Sequence, residues 1–344
     1  MRADGVSSTS ETEPRPAETP EGGGLDPGWP VPWQPVWGTQ DDWGSRLVGQ
    51  LFLLHLAAVA RAPDGMVSAS IEVLARLAKL VDRRHSRAAR VFLRQALGEL
   101  PGDDVERRVL QAYRHLFRVV ADAQRFVRRF PREKAVERFE VRWTDAARAA
   151  LEERRGCLLV TGHVGNWEAA LTIAPWLGFS PMYVVSRPPK NRVISRAVQE
   201  ERERRRVRLL PRRGAMALAP AILRAGGAVA LMLDQRARGR ALRAPFFGRP
   251  ARCDRSAGVL MKRLRVPAIV GACFETGEPM RYRVEFYDVL QPDEIRAADL
   301  EAITSRINRA YERMILDQPD QYFWLHDRYK DTPDVESGSR ASRT

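Results

Sequence analysis

The sequence is poor in the residues that build metal centres and disulfide frameworks. Its 344 residues include three cysteines and five histidines. Cys157, Cys253 and Cys273 lie too far apart for a CxxC metal or redox motif, and no cluster of histidine, cysteine and carboxylate has metal-ligand spacing. We therefore expect no metal and no disulfide framework. Cys157 and Cys273 fall in apolar strand patterns and are predicted to be core residues, as fits a reducing compartment.

Long hydrophobic runs are also lacking. The longest apolar stretch, Leu47 to Ala60, covers about fourteen residues and contains Gln50 and His55, whereas a membrane-spanning helix needs about twenty apolar residues. Residues 1–28 are acidic and rich in proline, glycine, serine and threonine, without the apolar centre of a signal peptide. We expect a disordered tail followed by a helix that is interfacial or buried.

Two motifs that define other classes of enzyme are missing. The glycine run Gly22-Gly23-Gly24 lies in the tail and follows no strand, so it is not a nucleotide-binding loop. No serine occupies a GxSxG turn, which is the setting of a nucleophilic serine in α/β hydrolases. The sequence therefore gives no indication of a covalent acyl-serine intermediate.

Negative charge is scarce outside the N-terminus. Residues 1–45 carry eight acidic and two basic side chains, which leaves the rest of the chain with a net charge of +20. A basic body is typical of proteins that meet nucleic acid, an anionic membrane or a phosphorylated substrate, and high arginine usage in a genome can contribute. Trp29, Trp33, Trp37 and Trp43 precede the apolar helix, and indoles favour the membrane interface. We expect them to insert there; the alternative is packing on their own domain.

The hydrophobic pattern changes along the chain from helical to alternating. Residues 44–130 have apolar positions at helical spacing, mostly expected to be core, including Ile71, Leu74, Leu77 and Leu80. From about residue 138, short apolar runs alternate with amphipathic segments. The predicted strands are Phe139–Trp143, Cys157–Thr161, Met182–Val185, Val207–Leu210, Ala228–Leu233, Ala268–Phe274 and Tyr282–Val289. The predicted helices between and after them are Trp143–Arg154, Asn166–Trp176, Arg192–Arg206, Ala215–Ala225, Asp254–Leu264 and Arg296–Leu316.

This alternation predicts an α/β fold with a mainly parallel central sheet flanked by helices. The sequence divides into a disordered acidic, Trp- and Pro-rich tail (1–42), a helical membrane-associating region (43–135), the α/β domain (136–330) and a second disordered tail (331–344). In such sheets, ligands bind beyond the carboxyl ends of the strands. Candidate functional residues are therefore sought at those ends.

One strand end carries a histidine and a carboxylate five residues apart. In the segment from Thr161 to Glu168, Gly165 permits a sharp turn and Asn166 is a good N-cap for the next helix. Across such a corner, His163 and Glu168 can converge on one cleft, although on one continuous helix they would point apart. An imidazole oriented by a carboxylate is a general base. The alternative is a histidine that ends the strand and has no catalytic role.

Two later strand ends carry further polar residues. Arg187 follows the strand after the histidine turn, with Asn191 close behind, and a guanidinium there can grip a phosphate or stabilise an oxyanion. Asp234 and Gln235 end another apolar strand, where a carboxylate can bind substrate, orient Arg187 or cap a loop. For Arg187 the alternative is a solvated cation.

An arginine-rich segment from Arg236 to Arg255 surrounds the aromatic pair Phe246-Phe247, with Arg249 just after it. Cations beside aromatic rings suit a lipid with a phosphorylated head, and they equally suit single-stranded nucleic acid. The alternative is an exposed loop whose two phenylalanines pack inward.

Several blocks occur in an order that, from about Trp43 to Lys330, resembles the bacterial lipid A biosynthesis acyltransferases. This is the lauroyl/myristoyl transferase family within the lysophospholipid acyltransferase group. The blocks are His163-Val164-Gly165-Asn166-Trp167-Glu168, Val185-Ser186-Arg187-Pro188-Pro189-Lys190-Asn191, Leu210-Pro211-Arg212, Leu231-Met232-Leu233-Asp234-Gln235, Pro245-Phe246-Phe247-Gly248-Arg249-Pro250-Ala251, and the run from Pro319 to Lys330. Its N-terminal tail is unlike the compact start of that family, which leaves the acceptor open.

The resemblance implies a membrane-associated O-acyltransferase. His163 would be the general base and Glu168 would hold its tautomer. The amides after Gly165, with Asn166, or Arg187 would stabilise the oxyanion. Substrate contacts would come from Arg187, Asn191, Asp234, Gln235, Phe246, Phe247 and Arg249. His326 lies in the last block and would be structural or substrate-facing.

The same resemblance implies the partners of the reaction. The donor would be an acyl thioester on acyl carrier protein or coenzyme A, with no bound cofactor. The acceptor would be a hydroxyl of a membrane glycolipid or phospholipid precursor, such as a lipid A precursor. The place would be the cytoplasmic face of the inner membrane, with peripheral or monotopic attachment to an anionic surface.

Two functions from other classes remain as alternatives. A basic nucleic-acid-binding protein would explain the charge and the arginine–phenylalanine segment, but neither the histidine turn nor the ordered blocks, so we expect no nucleic-acid partner. A membrane scaffold that has lost turnover would keep the fold, and the intact His163/Glu168 pair argues against it.

Overall fold

The computed structural model describes residues 28–31, 37–330 and 332. The helices in this part of the chain are α1 (Trp43–Arg61), α2 (Asp64–Val81), α3 (Arg83–Leu97), α4 (Gly102–Arg129), α5 (Arg132–Ala135), α6 (Asp145–Glu152), α7 (Trp167–Ile173), α8 (Arg192–Arg204), α9 (Ala215–Arg224), α10 (Ser256–Leu264) and α11 (Leu300–Asp317). Short 3₁₀ helices cover Val136–Arg138, Ala174–Leu177 and Pro319–Gln321. The strands are β1 (Phe139–Arg142), β2 (Cys157–Thr161), β3 (Met182–Ser186), β4 (Val207–Pro211), β5 (Ala228–Met232), β6 (Ala241–Phe246), β7 (Arg249–Asp254), β8 (Ala268–Glu275) and β9 (Tyr282–Leu290).

Seven of these strands form one sheet in the order β1-β9-β8-β2-β5-β3-β4. Every neighbouring pair is parallel except β8 with β9, which is antiparallel. The predicted α/β fold with a mainly parallel sheet is therefore confirmed. Because β2, β5 and β3 are parallel neighbours, their carboxyl ends lie at one edge of the sheet. That edge is where the candidate residues were expected.

The central strands are apolar on both faces because helices cover both faces. Successive residues of β2 point in opposite directions. Leu158 and Val160 join an apolar cluster with α3, α4, α9, α10 and α11, whereas Cys157 and Leu159 join a second cluster with α6 and α7. The three cysteines are buried free thiols, which confirms the core prediction for Cys157 and Cys273. Burial raises the pKa of the Cys157 thiol to about 12.

The predicted strands and helices of the sheet domain all occur, with ends shifted by a few residues. The hairpin of β6 and β7 was not predicted, because its alternating arginines resemble an exposed loop. The two strands pair antiparallel, with Phe246 opposite Arg249. Their inward residues, among them Ala244, Phe246 and Cys253, are buried. Alternation of small or aromatic residues with arginine is the pattern of a half-buried strand.

The four N-terminal helices differ from the sequence prediction in two respects. Helix α1 has 19 residues and, by length and composition alone, is long and apolar enough to cross a membrane; the prediction of a stretch too short to span was wrong on length. On α2, only Ile71 of the four apolar positions expected in the core is buried. Leu74, Leu77 and Leu80 are exposed, because the stripe of α2 that faces the protein is formed by Val67, Ile71 and Ala75.

The segment before α1 packs on the sheet domain and holds the loop that carries Arg187. The Gly38 N–H donates to Ser195 Oγ (3.0 Å), the Gln40 N–H donates to the Lys190 carbonyl (2.9 Å) and the Arg192 N–H donates to the Gln40 carbonyl (3.0 Å). A side chain at Gly38 would lie about 2.2 Å from the Lys190 carbonyl oxygen, so only glycine fits. Residues 38–40 and the loop are therefore docked together.

The tryptophans before α1 do not act as one group. Trp29 packs edge-on against Tyr183 at 5.1 Å, with the Arg208 guanidinium 4.0 Å above its ring. Trp43 is 80% exposed, whereas Trp33 lies outside the described residues. The expectation of interfacial insertion thus fails for Trp29, whose indole is held by its own domain, and stays a prediction for Trp43.

Candidate active site

The turn after β2 has the predicted strand–turn–helix geometry. Gly165 has φ of +62°, and a side chain there would lie about 2.1 Å from the Cys273 carbonyl oxygen. Asn166 caps α7, because its Oδ1 accepts the Ala169 N–H at 2.9 Å. Glycine is therefore required at Gly165, both for the left-handed backbone and for the close approach of β8. The chain reverses here and leaves His163 at the edge of the sheet.

His163 is held by Asp234, which follows the neighbouring strand β5. The backbone N–H of His163 donates to Oδ2 of Asp234 at 3.0 Å, and Nδ1 of the ring lies 3.0 Å from Oδ1. The Asp234 side chain is 1% exposed and that of His163 is 24% exposed. A Cβ on Gly162 would lie 3.0 Å from Asp234 Cγ, so this glycine lets the carboxylate approach.

This pairing determines which nitrogen of His163 can act as a base. A proton on Nδ1 satisfies Asp234 and leaves the lone pair on Nε2. Nε2 lies 3.4 Å from the side-chain nitrogen of Gln235. The ring packs beside Trp167 and Phe323, at centroid distances of 5.2 Å and 5.8 Å. The imidazole is thus fixed in orientation, with its basic nitrogen away from the buried carboxylate.

Electrostatics keep Asp234 ionised. Burial alone would raise the pKa of its carboxyl, but the charge and the two hydrogen bonds of His163 outweigh burial and hold this pKa below its ordinary value. An ionised, buried carboxylate behind an imidazole stabilises the imidazolium that forms when the ring takes a proton.

Glu168 pairs with arginines of α8, whereas Asp234 contacts Nδ1 of the imidazole, so the orienting role expected for Glu168 has no support in these contacts. Its Oε1 accepts from the Arg202 guanidinium at 2.7 Å, and its backbone carbonyl accepts from Arg205 at 3.2 Å. Burial would raise the pKa of the Glu168 carboxyl, but these two arginines and His163 hold it below its ordinary value. Glu168 therefore stands as a second anion near His163, tied to α8.

The backbone amides of the turn are not free to bind an oxyanion. The Gly165 N–H donates to the Gln321 carbonyl at 2.7 Å, and the Asn166 N–H donates to the Cys273 carbonyl at 2.6 Å. These two amides fix the turn between β8 and the C-terminal segment, which is the turn role expected for Gly165 and Asn166. An oxyanion role for the amides that begin α7 stays a prediction.

Arg187 lies at the same edge as His163 and Asp234, directly after β3. Its side chain is exposed, and the described residues offer it no ion-pair partner. Asn191, by contrast, is structural: its Oδ1 accepts the Ile194 N–H at 3.1 Å and its Nδ2 donates to the Ser45 carbonyl at 2.6 Å. The Asn191 amide caps α8 and ties it to α1, and a contact of this residue with substrate stays a prediction.

The aromatic pair and the arginine after it face the protein interior. Phe246 is fully buried, with the Arg328 guanidinium 4.8 Å above its ring. The Phe247 N–H donates to Glu312 at 2.7 Å, and the Arg249 guanidinium lies over Tyr329 at 4.7 Å. Phe246 and Arg249 are buried and Phe247 is partly buried, so the substrate-binding role expected for these three residues stays a prediction that their packing does not support. The alternative, in which the phenylalanines pack inward, is confirmed.

Two residues that the sequence did not single out support the turn. The Tyr311 hydroxyl donates to the Thr161 carbonyl at 2.5 Å and accepts the Leu233 N–H at 3.2 Å, which joins the ends of β2 and β5. His115 on α4 donates from Nε2 to the Gly165 carbonyl at 3.0 Å. Burial lowers the pKa of His115 to about 4, so the ring is neutral. Both occur within amphipathic helices, where nothing distinguishes them from ordinary core positions.

His326 also has a structural role. Its Nε2 accepts the Arg236 N–H at 2.8 Å, and burial lowers the pKa of its ring to about 4. Arg328, two residues on, is fully buried and donates to the Arg252 carbonyl at 2.7 Å. The last sequence block thus anchors the hairpin of β6 and β7 and the chain that follows β5.

An apolar cavity of about 150 Å³ lies between the sheet and α7. Thr161, Glu168, Ser186 and Arg202 are the polar residues of its lining. The remaining lining is apolar or small and includes Leu159, Ala170, Leu171, Ala174, Leu177, Phe179, Val184, Ala230, Met232, Val284 and Phe286. Trp167, whose ring also contacts His163, forms part of the wall. The cavity is therefore an apolar space linked to the imidazole through Trp167, which contacts both. Among residues 28–31, 37–330 and 332, no group of acidic, histidine and cysteine side chains could hold a metal ion.

An α/β fold whose sheet edge presents an anchored imidazole beside an apolar cavity fits a class of enzymes that act on apolar chains. The family model of the bacterial lipid A biosynthesis acyltransferases matches residues 45–331, which is most of the chain, and the chain belongs to this family. It is therefore an acyltransferase. A search of the curated proteins finds no match.

Proposed function

We propose that this protein moves a fatty acyl chain from an acyl thioester to a hydroxyl of a membrane glycolipid or phospholipid precursor, such as a lipid A precursor. The observation that carries the proposal is the pairing of His163 with the buried Asp234, which leaves Nε2 as a base at the carboxyl edge of the sheet. Family membership supplies the acyl-transfer class.

In the proposed reaction, Nε2 of His163 takes the proton of the acceptor hydroxyl as its oxygen attacks the thioester carbonyl. Asp234 stabilises the imidazolium. The tetrahedral intermediate then expels the thiolate, which takes the proton back from the imidazolium, so that an ester and a free thiol result. General-base assistance of this kind contributes about 10²- to 10⁴-fold to a rate.

We propose that Arg187 stabilises the negative charge that develops on the thioester carbonyl oxygen, or that it binds a phosphate of the acceptor. It is an exposed cation at the edge that carries His163, and no described carboxylate neutralises it. The alternative donors in the turn, the amides of Gly165 and Asn166, are already bonded to protein carbonyls. Gln235, whose amide faces His163, lies at the same edge.

We propose that the donor's acyl chain occupies the apolar cavity beside α7. Its walls are almost entirely hydrocarbon, and burial of each methylene is worth about 0.8 kcal/mol. The Glu168–Arg202 ion pair, at 2.7 Å, gives the cavity one polar wall. The donor thioester is carried by acyl carrier protein or coenzyme A, and no bound cofactor is required.

The proposed location is the cytoplasmic face of the inner membrane, with peripheral or monotopic attachment. The family is membrane-associated in bacteria. Exposed Trp43, Leu47, Leu51 and Leu54 on α1 give the chain an apolar surface, and the positive charge of the body favours an anionic leaflet. The nucleic-acid alternative loses its main support, since the arginine–phenylalanine hairpin packs inward.

The test is mass spectrometry of total lipid from cells with and without this protein, and from cells with the His163→Ala variant. A lipid heavier by one acyl group should appear only with the wild-type chain. Arg155→Ala serves as a matched control, because Arg155 is an exposed cation that precedes β2 at the opposite edge of the sheet. An identical product with His163→Ala would contradict the proposed base, and no acylated product with the wild type would favour the inactive scaffold.

A further inference from the structure

A basic cleft opens between α2, α3 and α4, on residues that take no part in the proposed reaction. Its volume is about 560 Å³. The lining consists of five cationic side chains with one serine and two leucines: Arg76, Lys79, Leu80, Arg83, Ser86, Arg87, Arg90 and Leu110. A concave surface with this concentration of one charge predicts an anionic ligand.

Protein carboxylates neutralise only part of this charge. Glu106 accepts from both Lys79, at 2.8 Å, and Arg90. The hydrogen bond from Arg90, with the hydrogen bond from Lys79 and the charges of both groups, lowers the pKa of the Glu106 carboxyl to about 2 despite burial. Arg76 pairs with Glu72 at 2.7 Å. Among the described residues, Arg83 and Arg87 have no acidic partner, although both are exposed and line the cleft.

The unpaired arginines are close together by the geometry of the helix. Arg83 and Arg87 are four residues apart on α3, which puts them on one face, and Arg90 follows three residues later. Like charges at this spacing repel each other and destabilise a helix. A phosphate bound between them would turn that repulsion into two charge-assisted interactions, which is the use for which arginine is suited.

The cleft adjoins an exposed apolar surface at the end of α2. Leu80 lines the cleft and is 70% exposed, and its neighbours Leu77 and Val81 are 53% and 79% exposed. A small soluble anion would make no apolar contact with these side chains. A lipid offers both parts, a phosphate for the arginines and an acyl region for the leucines.

We propose that this cleft binds the phosphate head group of an anionic membrane phospholipid, with Arg83 and Arg87 as its main contacts and the end of α2 in the acyl region. The site differs from the acyl-transfer site in its elements, since it lies on α2 to α4. It does not depend on the proposed reaction. A phospholipid bound in this cleft gives the protein a second contact with the bilayer, in addition to α1, and this contact selects for negative charge.

The test is co-sedimentation of the full-length protein with vesicles of phosphatidylcholine alone and of phosphatidylcholine mixed with phosphatidylglycerol. Because each basic residue near an anionic surface contributes about fivefold to partitioning, Arg83→Gln with Arg87→Gln should weaken binding to the mixed vesicles by about 10- to 30-fold. Binding to neutral vesicles should change little. Both residues are exposed and unpaired, so the variant should fold, and a thermal melt checks this.

The matched control is Arg84→Gln with Arg94→Gln, which removes the same charge from exposed positions of α3 outside the cleft. The control should lose less than about threefold in affinity. Equal losses in the two variants would overturn the proposal, because they would show attraction by overall charge. Inorganic phosphate should release the protein from the mixed vesicles more than chloride does at equal ionic strength, since it competes for the same arginines. Binding of inorganic phosphate at these arginines without any release from the vesicles would also overturn the proposal, in favour of a free-phosphate site. Arg87→Glu is a second variant and should show the same selectivity. Acyl transfer in detergent, measured separately, reports on the proposed reaction and not on this cleft.

Discussion

The carboxylate of Asp234 contacts His163 at two points. One oxygen accepts the backbone N–H of His163 and the other lies beside ring Nδ1, each at a distance of 3.0 Å. The main chain and the side chain of the histidine are therefore oriented by a single buried group on the neighbouring strand. This relationship connects β2 with β5 across 71 residues of sequence. It makes Asp234, rather than the nearer Glu168, the residue on which the tautomer of His163 depends.

Asp234→Asn should lower the rate of acyl transfer by about 10²- to 10⁴-fold. The amide can donate its N–H to Nδ1 and so favour the tautomer that carries its proton on Nε2, which cannot act as the base. Glu168→Gln leaves the Asp234 contact intact. NMR of ¹⁵N-histidine-labelled protein shows which carboxylate orients the ring. The Nδ1–H signal of His163 should persist in the Glu168→Gln variant and disappear in the Asp234→Asn variant. Loss of that signal in Glu168→Gln would return the orienting role to Glu168.

Arg187→Ala should slow turnover or weaken acceptor binding, and Arg187→Lys should restore activity only in part, since bidentate geometry is lost. Steady-state kinetics with varied acceptor separate the two effects: a change in KM alone indicates binding of a ground-state anion, and a change in kcat indicates the developing oxyanion. Arg155→Ala is the control for loss of one exposed positive charge. Kinetics like those of the control would rule out a role for Arg187.

His115→Leu should lower kcat about tenfold or more, because the Gly165 carbonyl would lose its buried donor and the turn that holds His163 would relax. The unfolding free energy should also fall by about 1–3 kcal/mol, the cost of an unsatisfied buried acceptor. His115→Gln can supply an N–H at a similar reach and should recover much of kcat. If the His115→Gln and His115→Leu variants have equal kcat despite different stabilities, His115 contributes to the stability of the core and does not position His163.

Ala170→Leu should shift donor preference toward shorter acyl chains. Ala170 lies on α7 and lines the cavity beside His163, so added methyl groups there occupy space that the end of a long chain would need. Discrimination of about 10- to 200-fold per excess methylene is the usual range for an apolar pocket. Competition between donors of different length, read by mass spectrometry, measures the shift. An unchanged length preference would place the acyl chain elsewhere.

Asp122→Asn should change stability in a pH-dependent way. Burial, with the charge of Glu275, raises the pKa of the Asp122 carboxyl to about 7, despite Arg125 at 3.8 Å and nearby Arg118. Since this folded-state pKa lies above the unfolded value of 3.8, proton binding stabilises the fold below about pH 4, and this contribution is lost as the pH rises to 7. Asparagine has no such loss.

The stability of Asp122→Asn relative to the wild type should therefore rise by on the order of 1–3 kcal/mol between about pH 4.5 and pH 8. Urea unfolding at several pH values measures this difference. His115 and Glu275 titrate in both proteins, so their contributions largely cancel in the comparison. A difference that is constant with pH would mean that Asp122 is ionised throughout this range.

The sheet and the histidine turn were predictable because their causes are local. Apolar runs of strand length, Gly165 and Asn166 are all visible within a few residues of sequence, and the structure confirms the strand–turn–helix corner. The identity of the carboxylate partner was not predictable, since it depends on β5 lying next to β2. Sequence proximity favoured Glu168, whereas sheet order brought Asp234.

The arginine–phenylalanine segment was misinterpreted for a related reason. Its composition is that of an exposed loop, but Phe246 is buried because α11 and the C-terminal segment lie over the hairpin. The N-terminal helices show the opposite error. Leu77 and Leu80 have helical spacing typical of a core stripe, yet they are exposed, since periodicity does not show which side of an apolar helix finds a protein partner.

The docking of residues 38–40 against the loop after β3 affects how a truncated protein should be interpreted. The strand-like contacts of Gln40 with Lys190 and Arg192, and the bond from Asn191 to Ser45, hold the loop that begins with Arg187. A deletion meant to detach α1 from lipid also removes the support of that loop. Loss of activity in such a protein would not show that the membrane is needed for catalysis, since one cut disturbs both α1 and the loop that carries Arg187.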